Sequence, residues 1–138
     1  MNLITRHTDY AVRALLYMAQ HQGQLVSTAD LDRDLRLPRP FMRKTLQLLQ
    51  KEGYLLSVKG HNGGFRLKLS PEKIRLIDLM RIFQGEISLS DCLFKKKLCQ
   101  CVASCPLRRV VKSMESDLLR KLKTVTIAHL MKDEALLS

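Results

Sequence analysis

A chain of 138 residues in which 46% of side chains are hydrophobic can bury one ordinary core but hardly two. Its 24 basic residues against 13 acidic ones leave a formal charge of +11, which suits a polyanionic partner. No run of 18 uncharged apolar residues occurs, and the opening MNLITRHTDYAVRALLYMAQ carries arginines and an aspartate inside its apolar pattern, so neither a membrane span nor a signal peptide fits and a cytoplasmic location is expected.

The first helix is expected from about Thr8 to His21, because Val12, Leu15, Leu16 and Ala19 recur at i, i+3, i+4 and i+7 and Thr8 can cap the start. GQLVSTADLDRDLRLP then predicts a turn at Gly23 and a short helix that ends by Pro38. Ser27 and Asp30 have the Ser-x-x-acid spacing that satisfies free amides at a helix start. A third helix begins near Pro40, a tolerated first-turn proline, and stops at Gly53. Met42, Thr45, Leu46 and Leu49 form its buried face, which leaves Arg39, Arg43, Gln47 and Gln50 along the opposite one. From Arg36 to Lys68 eight basic side chains stand against one acid, Glu52, so the charge is concentrated on this helix and the segment after it.

YLLSVKGHNGGFRLKLS alternates in its second half, with Phe65, Leu67 and Leu69 on one side and Arg66 and Lys68 on the other, which predicts a β-hairpin. Its tip, Gly60 to Gly64, has the glycines needed for positive φ angles and for close approach to another surface. Two short helices, a third amphipathic helix and a hairpin, in this order, make a winged helix-turn-helix. In that module the third helix enters the DNA major groove and the hairpin reaches the flanking backbone or minor groove. The fold class expected is therefore mainly α with a small β-hairpin. Candidate DNA contacts are Ser27 and Thr28 at the second helix, Arg39, Pro40, Arg43, Lys44 and Gln47 on the third, and Lys59, His61, Asn62, Gly63, Gly64 and Arg66 on the wing. Arg43 is the best candidate for a guanine, since its fork can donate to O6 and N7 together.

Beyond Ser70, Leu76, Leu79, Met80 and Phe83 recur at helical spacing and Gly85 closes the helix. After Pro106 comes a long helix, on which Leu107, Val111, Met114, Leu118, Leu122 and Val125 make an apolar stripe close to a coiled-coil seam. Leu107, Val111, Met114, Leu118 and Leu122 are the expected contacts of a homodimer. TIAHLMKDEALLS ends the chain as a short helix and tail. One domain thus comprises a winged part over 1–70, a connecting helix and cysteine-rich loop over 71–106, and a dimerisation helix with its tail over 107–138.

All four cysteines fall within fourteen residues, at Cys92, Cys99, Cys101 and Cys105, with Lys95, Lys96 and Lys97 among them and Arg108 and Arg109 just after. The pattern C-x6-C-x-C-x3-C lacks the paired C-x2-C knuckles usual in structural zinc sites. Nearby cations and a helix start after Cys105 favour thiolates, which are soft ligands for iron-sulfur clusters or zinc. Iron-sulfur, zinc and thiol-based redox chemistry are all compatible with the spacing.

The whole chain resembles the Rrf-two family of bacterial winged-helix regulators, which includes the iron-sulfur biogenesis regulator, a nitric-oxide-sensing repressor and an iron-responsive repressor. The resemblance rests on TDYAVRALLYMA, on LLQKEGYL, on KGHNGGFRL, on PEKIRLIDLMRIFQGE and on Cys92, Cys99 and Cys105 before the long helix. It implies a homodimer on palindromic double-stranded DNA, with one iron-sulfur cluster per subunit, [2Fe-2S] or [4Fe-4S], held by those three cysteines and a fourth ligand that varies among members. Cys101 is additional to the family's pattern. The histidine that the biogenesis branch places three residues after the last cysteine is replaced by Arg108, while Asp9 matches the N-terminal aspartate of the nitric-oxide-sensing branch. Asp9 is the first candidate for the fourth ligand and Cys101 the second; Asp9 also has the simpler role of a helix N-terminal acid. The implied function is a cluster-sensing transcription factor, expected to be a repressor. Alternatives are a winged-helix regulator responding through thiol oxidation, zinc or a metabolite and, in another class, an electron-transfer protein. No nucleophile-base pair or nucleotide-binding glycine motif points to an enzyme.

Overall fold

A computed structural model describes residues 3–89 and 105–137. Three helices come first: α1 (Arg6–Gln20), α2 (Thr28–Leu35) and α3 (Arg39–Lys51). Two antiparallel strands, β1 (Leu55–Val58) and β2 (Gly64–Leu67), form the hairpin, with Leu55 opposite Leu67 and Val58 opposite Gly64. A 3-10 turn at Pro71–Lys73 leads into α4 (Leu76–Gln84). Past the cysteine segment lie α5 (Pro106–Thr124) and α6 (Ile127–Leu137). The fold is mainly helical with one two-stranded sheet, as the sequence pattern predicts.

The start of α1 differs from expectation. Thr5, not Thr8, is the cap, and its hydroxyl accepts from the Thr8 amide at 3.4 Å. Thr8 instead lies fully buried one turn in, where its hydroxyl donates to Gln84 Oε1 at 2.8 Å. The Thr5 amide donates to the same oxygen at 3.1 Å, and Gln84 Nε2 donates to the Leu3 carbonyl at 2.8 Å. One side-chain amide at the end of α4 thus satisfies groups that a helix start leaves open. The buried face of α1 is also rotated from the expected stripe: Ala11, Ala14, Leu15, Met18 and Ala19 are buried, while Val12 and Leu16 sit at its half-buried edge. Alanines allow close approach of the neighbouring helices, which pattern reading weighted toward larger side chains does not register.

Ser27 caps α2 by the expected reciprocal arrangement. Its hydroxyl accepts from the Asp30 amide at 3.1 Å, and its own amide donates to the Asp30 carboxylate at 2.9 Å. The other end of α2 closes on Arg36 at φ 55 and ψ 37, the only non-glycine with a positive φ among the described residues. That conformation costs a side chain with a Cβ roughly 1–2 kcal/mol. Leu37, buried in the core, and Pro38 at φ −61 then lead into α3. On α3 the buried residues are Met42, Thr45, Leu46 and Leu49, the face read from the sequence. They share a core with Leu15, Leu31, Leu55, Ile74, Leu79 and Ile127.

A second apolar cluster joins Leu76, Ile77 and Met80 of α4 to Leu122, with Leu118, Leu119 and Val125 packed against it. Backbone bonds fasten the corner between α5 and α6 to the segment after the wing: Leu76 N–H donates to the Val125 carbonyl and Ile127 N–H to the Ile74 carbonyl, each at 2.9 Å. Leu122 therefore belongs to the chain's own interior, a correction to its expected place in a dimer seam.

The hairpin is also tied down. Val26 and Phe65 exchange both backbone bonds at 2.8 Å, so an isolated bridge ties β2 to the chain just before the cap of α2. A Cβ at Gly64 would lie 2.8 Å from the Val26 carbonyl oxygen, and one at Gly63 2.1 Å from that of Val58. These two glycines are required by contacts inside the chain. Gly64→Ala is accordingly expected to lower stability by about 1–3 kcal/mol, as overpacking against backbone does. Urea or thermal unfolding checks this, and an unchanged midpoint would contradict the close approach of Gly64 to Val26.

Candidate DNA interface and cysteine segment

Packing decides what α3 shows to solvent. With Met42, Thr45, Leu46 and Leu49 turned inward, Arg39, Pro40, Arg43, Lys44, Gln47 and Gln50 are exposed. The cations on this face are not equivalent. Arg39 Nε donates to the Asp32 carboxylate at 2.7 Å, so it braces α3 against α2. Arg43 and Lys44 form no ion pair with any described residue. Gln50 turns toward the wing, where its Nε2 donates to Ser57 Oγ at 2.9 Å.

On the wing Lys59, His61, Asn62 and Arg66 are exposed, and Gly63 and Gly64 are half-buried. The expectation that tip glycines serve outward approach meets a different reason here, since the Cβ contacts at both positions are internal. Ser27 has its hydroxyl and amide committed to the cap, and Thr28 is half-buried beside it. Thr28 lies at the start of α2 and Pro40, Arg43, Lys44 and Gln47 on α3, and the hairpin cations follow on the next element in the chain.

The acids of α2 would oppose an anionic partner if they were free, but each is engaged. Asp30 takes the Ser27 amide, which with that hydroxyl and Arg33 holds its carboxyl below the usual range. Asp32 takes Arg39. Asp34 accepts from Arg33 Nε at 2.8 Å and from the Tyr17 hydroxyl, and it is held down to about 2 by Arg33 first and Tyr17 second. The same bond pushes the Tyr17 hydroxyl up. His21 stacks on Tyr17 with centroids 4.1 Å apart at the end of α1.

Of the cysteines, Cys92, Cys99 and Cys101 lie outside the described residues. Cys105 is the residue preceding α5, half-buried, with a free thiol that makes no capping bond. No acid occupies the first turn of that helix, so a soft thiol donor stands at its amide end. Asp9 lies in the first turn of α1, where Arg13 Nε donates to it at 3.1 Å. Its carboxylate is thus free of the core but already paired. Among the described residues no three His, Cys, Asp or Glu side chains come together in a metal-holding group. The one cysteine described fits a soft-metal site as donor.

On α5, Leu107 is 63% exposed, and Val110 and Met114 are each 56% exposed. Val111 and Leu118 are half-buried. Val110 does not belong to the expected stripe, although its spacing of three from Leu107 and four from Met114 carries the signal. Leu3 and Ile4 are also exposed apolar residues. No described helix is long and apolar enough to cross a membrane.

The profile of the Rrf2 family, described as an iron-dependent transcriptional regulator, matches residues 4–133. The chain belongs to the Rrf2 family. An HTH-type transcriptional regulator assigned in Aquifex aeolicus (strain VF5) is 32% identical over 127 residues, covering 91% of this chain and 88% of its own. The fold of T. potens IscR is similar at a TM-score of 0.71, with 24% identity, 95% of this chain covered and 87% of that one. CymR, named as the global cysteine regulator of B. subtilis, is similar at a TM-score of 0.68, with 19% identity over 96% of this chain and 98% of its own. This Rrf2 protein is a winged-helix transcriptional regulator, and DNA binding goes with that family.

The Asp34 carboxylate, paired first with Arg33 on α2 and second with Tyr17 of α1, is an acid-sensitive contact. Its folded-state pKa is depressed, so the stabilisation is complete above the ordinary carboxylate value of about 3.9 and is lost as pH falls toward 2. Asp34→Asn should flatten that portion of the acid limb in circular dichroism-monitored unfolding. A variant whose stability falls with acid as steeply as the parent would remove Asp34 from this role.

Proposed function

We propose that this protein is a cytoplasmic, homodimeric repressor that binds palindromic DNA through α3 and the wing and senses iron-sulfur status, redox state or nitric oxide through a cluster held in the cysteine segment. The observation that carries the DNA part is the exposed face of α3, where Arg43 and Lys44 form no ion pair with any described residue while the acids of α2 are engaged elsewhere. Arg43 has the fork that a guanine edge matches, with Lys44 and Gln47 beside it and Thr28 and Pro40 at the helix starts. Lys59, His61, Asn62 and Arg66 supply phosphate or minor-groove contacts from the wing. Replacing Arg43 by alanine is expected to cost roughly 1–3 kcal/mol and to relax preference at one base position in each half-site. Selection from a random-sequence pool tests it, and an unchanged preference sinks the assignment.

For sensing, Cys92, Cys99 and Cys105 are the proposed ligands, completed by Asp9 or by Cys101. The family's description as iron-dependent and the accommodating position of Cys105 support this choice. A cluster of [2Fe-2S] or [4Fe-4S] type, when bound, supplies iron that responds to oxidants, nitric oxide or iron supply. The chain's part is to link that state to the flanking helices: the cysteine segment joins the end of α4, which holds the start of α1 through Gln84, to the start of α5. The exposed Leu107, Val110 and Met114, with Val111 and Leu118 at their edge, form the surface offered to a second copy.

A thiol-responsive regulator without a cluster is the second reading, favoured by the similarity in fold to a protein named as a global cysteine regulator. Anaerobic absorbance with native mass spectrometry separates the two. The expected species is a dimer carrying iron and sulfide, lost in the Cys92, Cys99 and Cys105 triple serine variant and monomeric in Met114→Lys. Iron and sulfide retained by the serine variant, or a colourless dimer with intact thiols, overturns the cluster reading. Equal DNA affinity of loaded and free dimers overturns the sensing role, since a ligand shifts an equilibrium only through differential interaction.

A further inference from the structure

Arg36 is the one described residue that adopts a left-handed backbone while carrying a side chain, a position that a helix end ordinarily gives to glycine or asparagine. The turn admits little alternative. Arg36 N–H bonds back to the Asp32 carbonyl at 2.9 Å, Leu37 is buried at 3% exposure, Pro38 restricts the next φ, and Arg39 is fastened to Asp32. The backbone at 36 is therefore imposed by its neighbours on both sides. The Arg36 side chain is exposed and makes no ion pair with any described residue. Nor is it held by the nearby acids, because Asp30, Asp32 and Asp34 are taken by Arg33, Arg39 and Tyr17. Strain kept at an exposed, unpaired cation just before the recognition helix is the kind of outlier from which a functional role is argued.

We infer that Arg36 is a positioning residue for DNA binding: its guanidinium anchors a backbone phosphate at the edge of the groove that α3 enters, and so sets the register of Arg43 and Gln47. A phosphate contact placed at the turn fixes how far the helix start advances into the groove, which is the part played by contacts that carry no sequence information themselves. The exposed arginine also explains why glycine, the easier residue for the backbone, is absent.

The inference rests on the DNA-binding reading of α3, and the test separates the two. The wild type, R36G, R36K and R43A are compared on a duplex that the wild type selects from a random-sequence pool, with affinity followed across a salt series and stability by urea unfolding. R36G is expected to unfold at a higher urea midpoint than the wild type, because the left-handed turn no longer carries a Cβ. It should nevertheless bind about three- to tenfold more weakly, with the salt slope reduced by about 0.9 for each bound subunit. Base preference should persist at lower affinity, and R36K should keep most of the slope. A more stable protein that binds less well cannot be explained by misfolding. R36G with wild-type affinity and slope overturns the inference, and so does weaker binding with an unaltered slope. If the wild type itself shows no salt-dependent binding, the reading of α3 falls; if wild type and R43A behave as expected while R36G matches the wild type, the inference alone falls.

Discussion

Burial of one face of α3 is the constraint on which the rest depends. Met42, Leu46 and Leu49 are fully buried and Thr45 is 2% exposed, with its hydroxyl turned back to the Phe41 carbonyl at 3.0 Å. Removing any of the three large apolar side chains from water is worth up to about 1.5–3 kcal/mol, and no rotation of the helix preserves that gain. The outward direction of Arg43 and Lys44 is thus a by-product of apolar packing. Electrostatics then refines the surface by withdrawing what would conflict with it: three aspartates on α2 are taken by Ser27, Arg33, Arg39 and Tyr17.

A second organising contact joins the starts of α1 and α3 to the end of α4. Gln84 joins Leu3, Thr5 and Thr8 to the end of α4, and Phe41 of α3 stacks on His7 with centroids 4.0 Å apart. Phe83 lies 6.1 Å from the same imidazole and Tyr10 meets Phe41 edge-on at 5.3 Å. Aromatic side chains therefore bridge the start of α1, the start of α3 and the end of α4. Displacement of α4 has a packed route to the exposed face of α3, made of side chains in direct contact.

Much of this is legible in the sequence, and the residues show why. The buried face of α3, the Ser27–Asp30 cap and the hairpin arise from periodicity and local chemistry, which act over a few residues. The start of α1 is harder to place because two threonines three apart both satisfy a capping pattern, and only Gln84, 76 residues away from Thr8, decides between them. Leu122 reads as outward because a seam on a charged helix looks the same whether a second copy or α4 covers it. Glycines at 63 and 64 read as freedom at a tip, whereas their neighbours Val58 and Val26 make them a matter of clearance. The DNA-facing and cluster-holding roles rest on residue chemistry and on family likeness, and Cys92, Cys99 and Cys101 lie outside the described residues.

The bridge between Val26 and Phe65 changes what kind of object the wing is. A two-stranded hairpin joined only at its base would swing as a unit, but this one is also pinned at Phe65 to Val26, just before the cap of α2. Mechanically it is a cantilever clamped between the β1 ladder and Val26, with its free span reduced to the few residues beyond Val58 and Gly64. Tilting its stem drags the start of α2 along. Compliance toward a surface of varying curvature is therefore left to the short tip around His61 and Asn62, while the stem keeps Arg66 at a constant height above the helices.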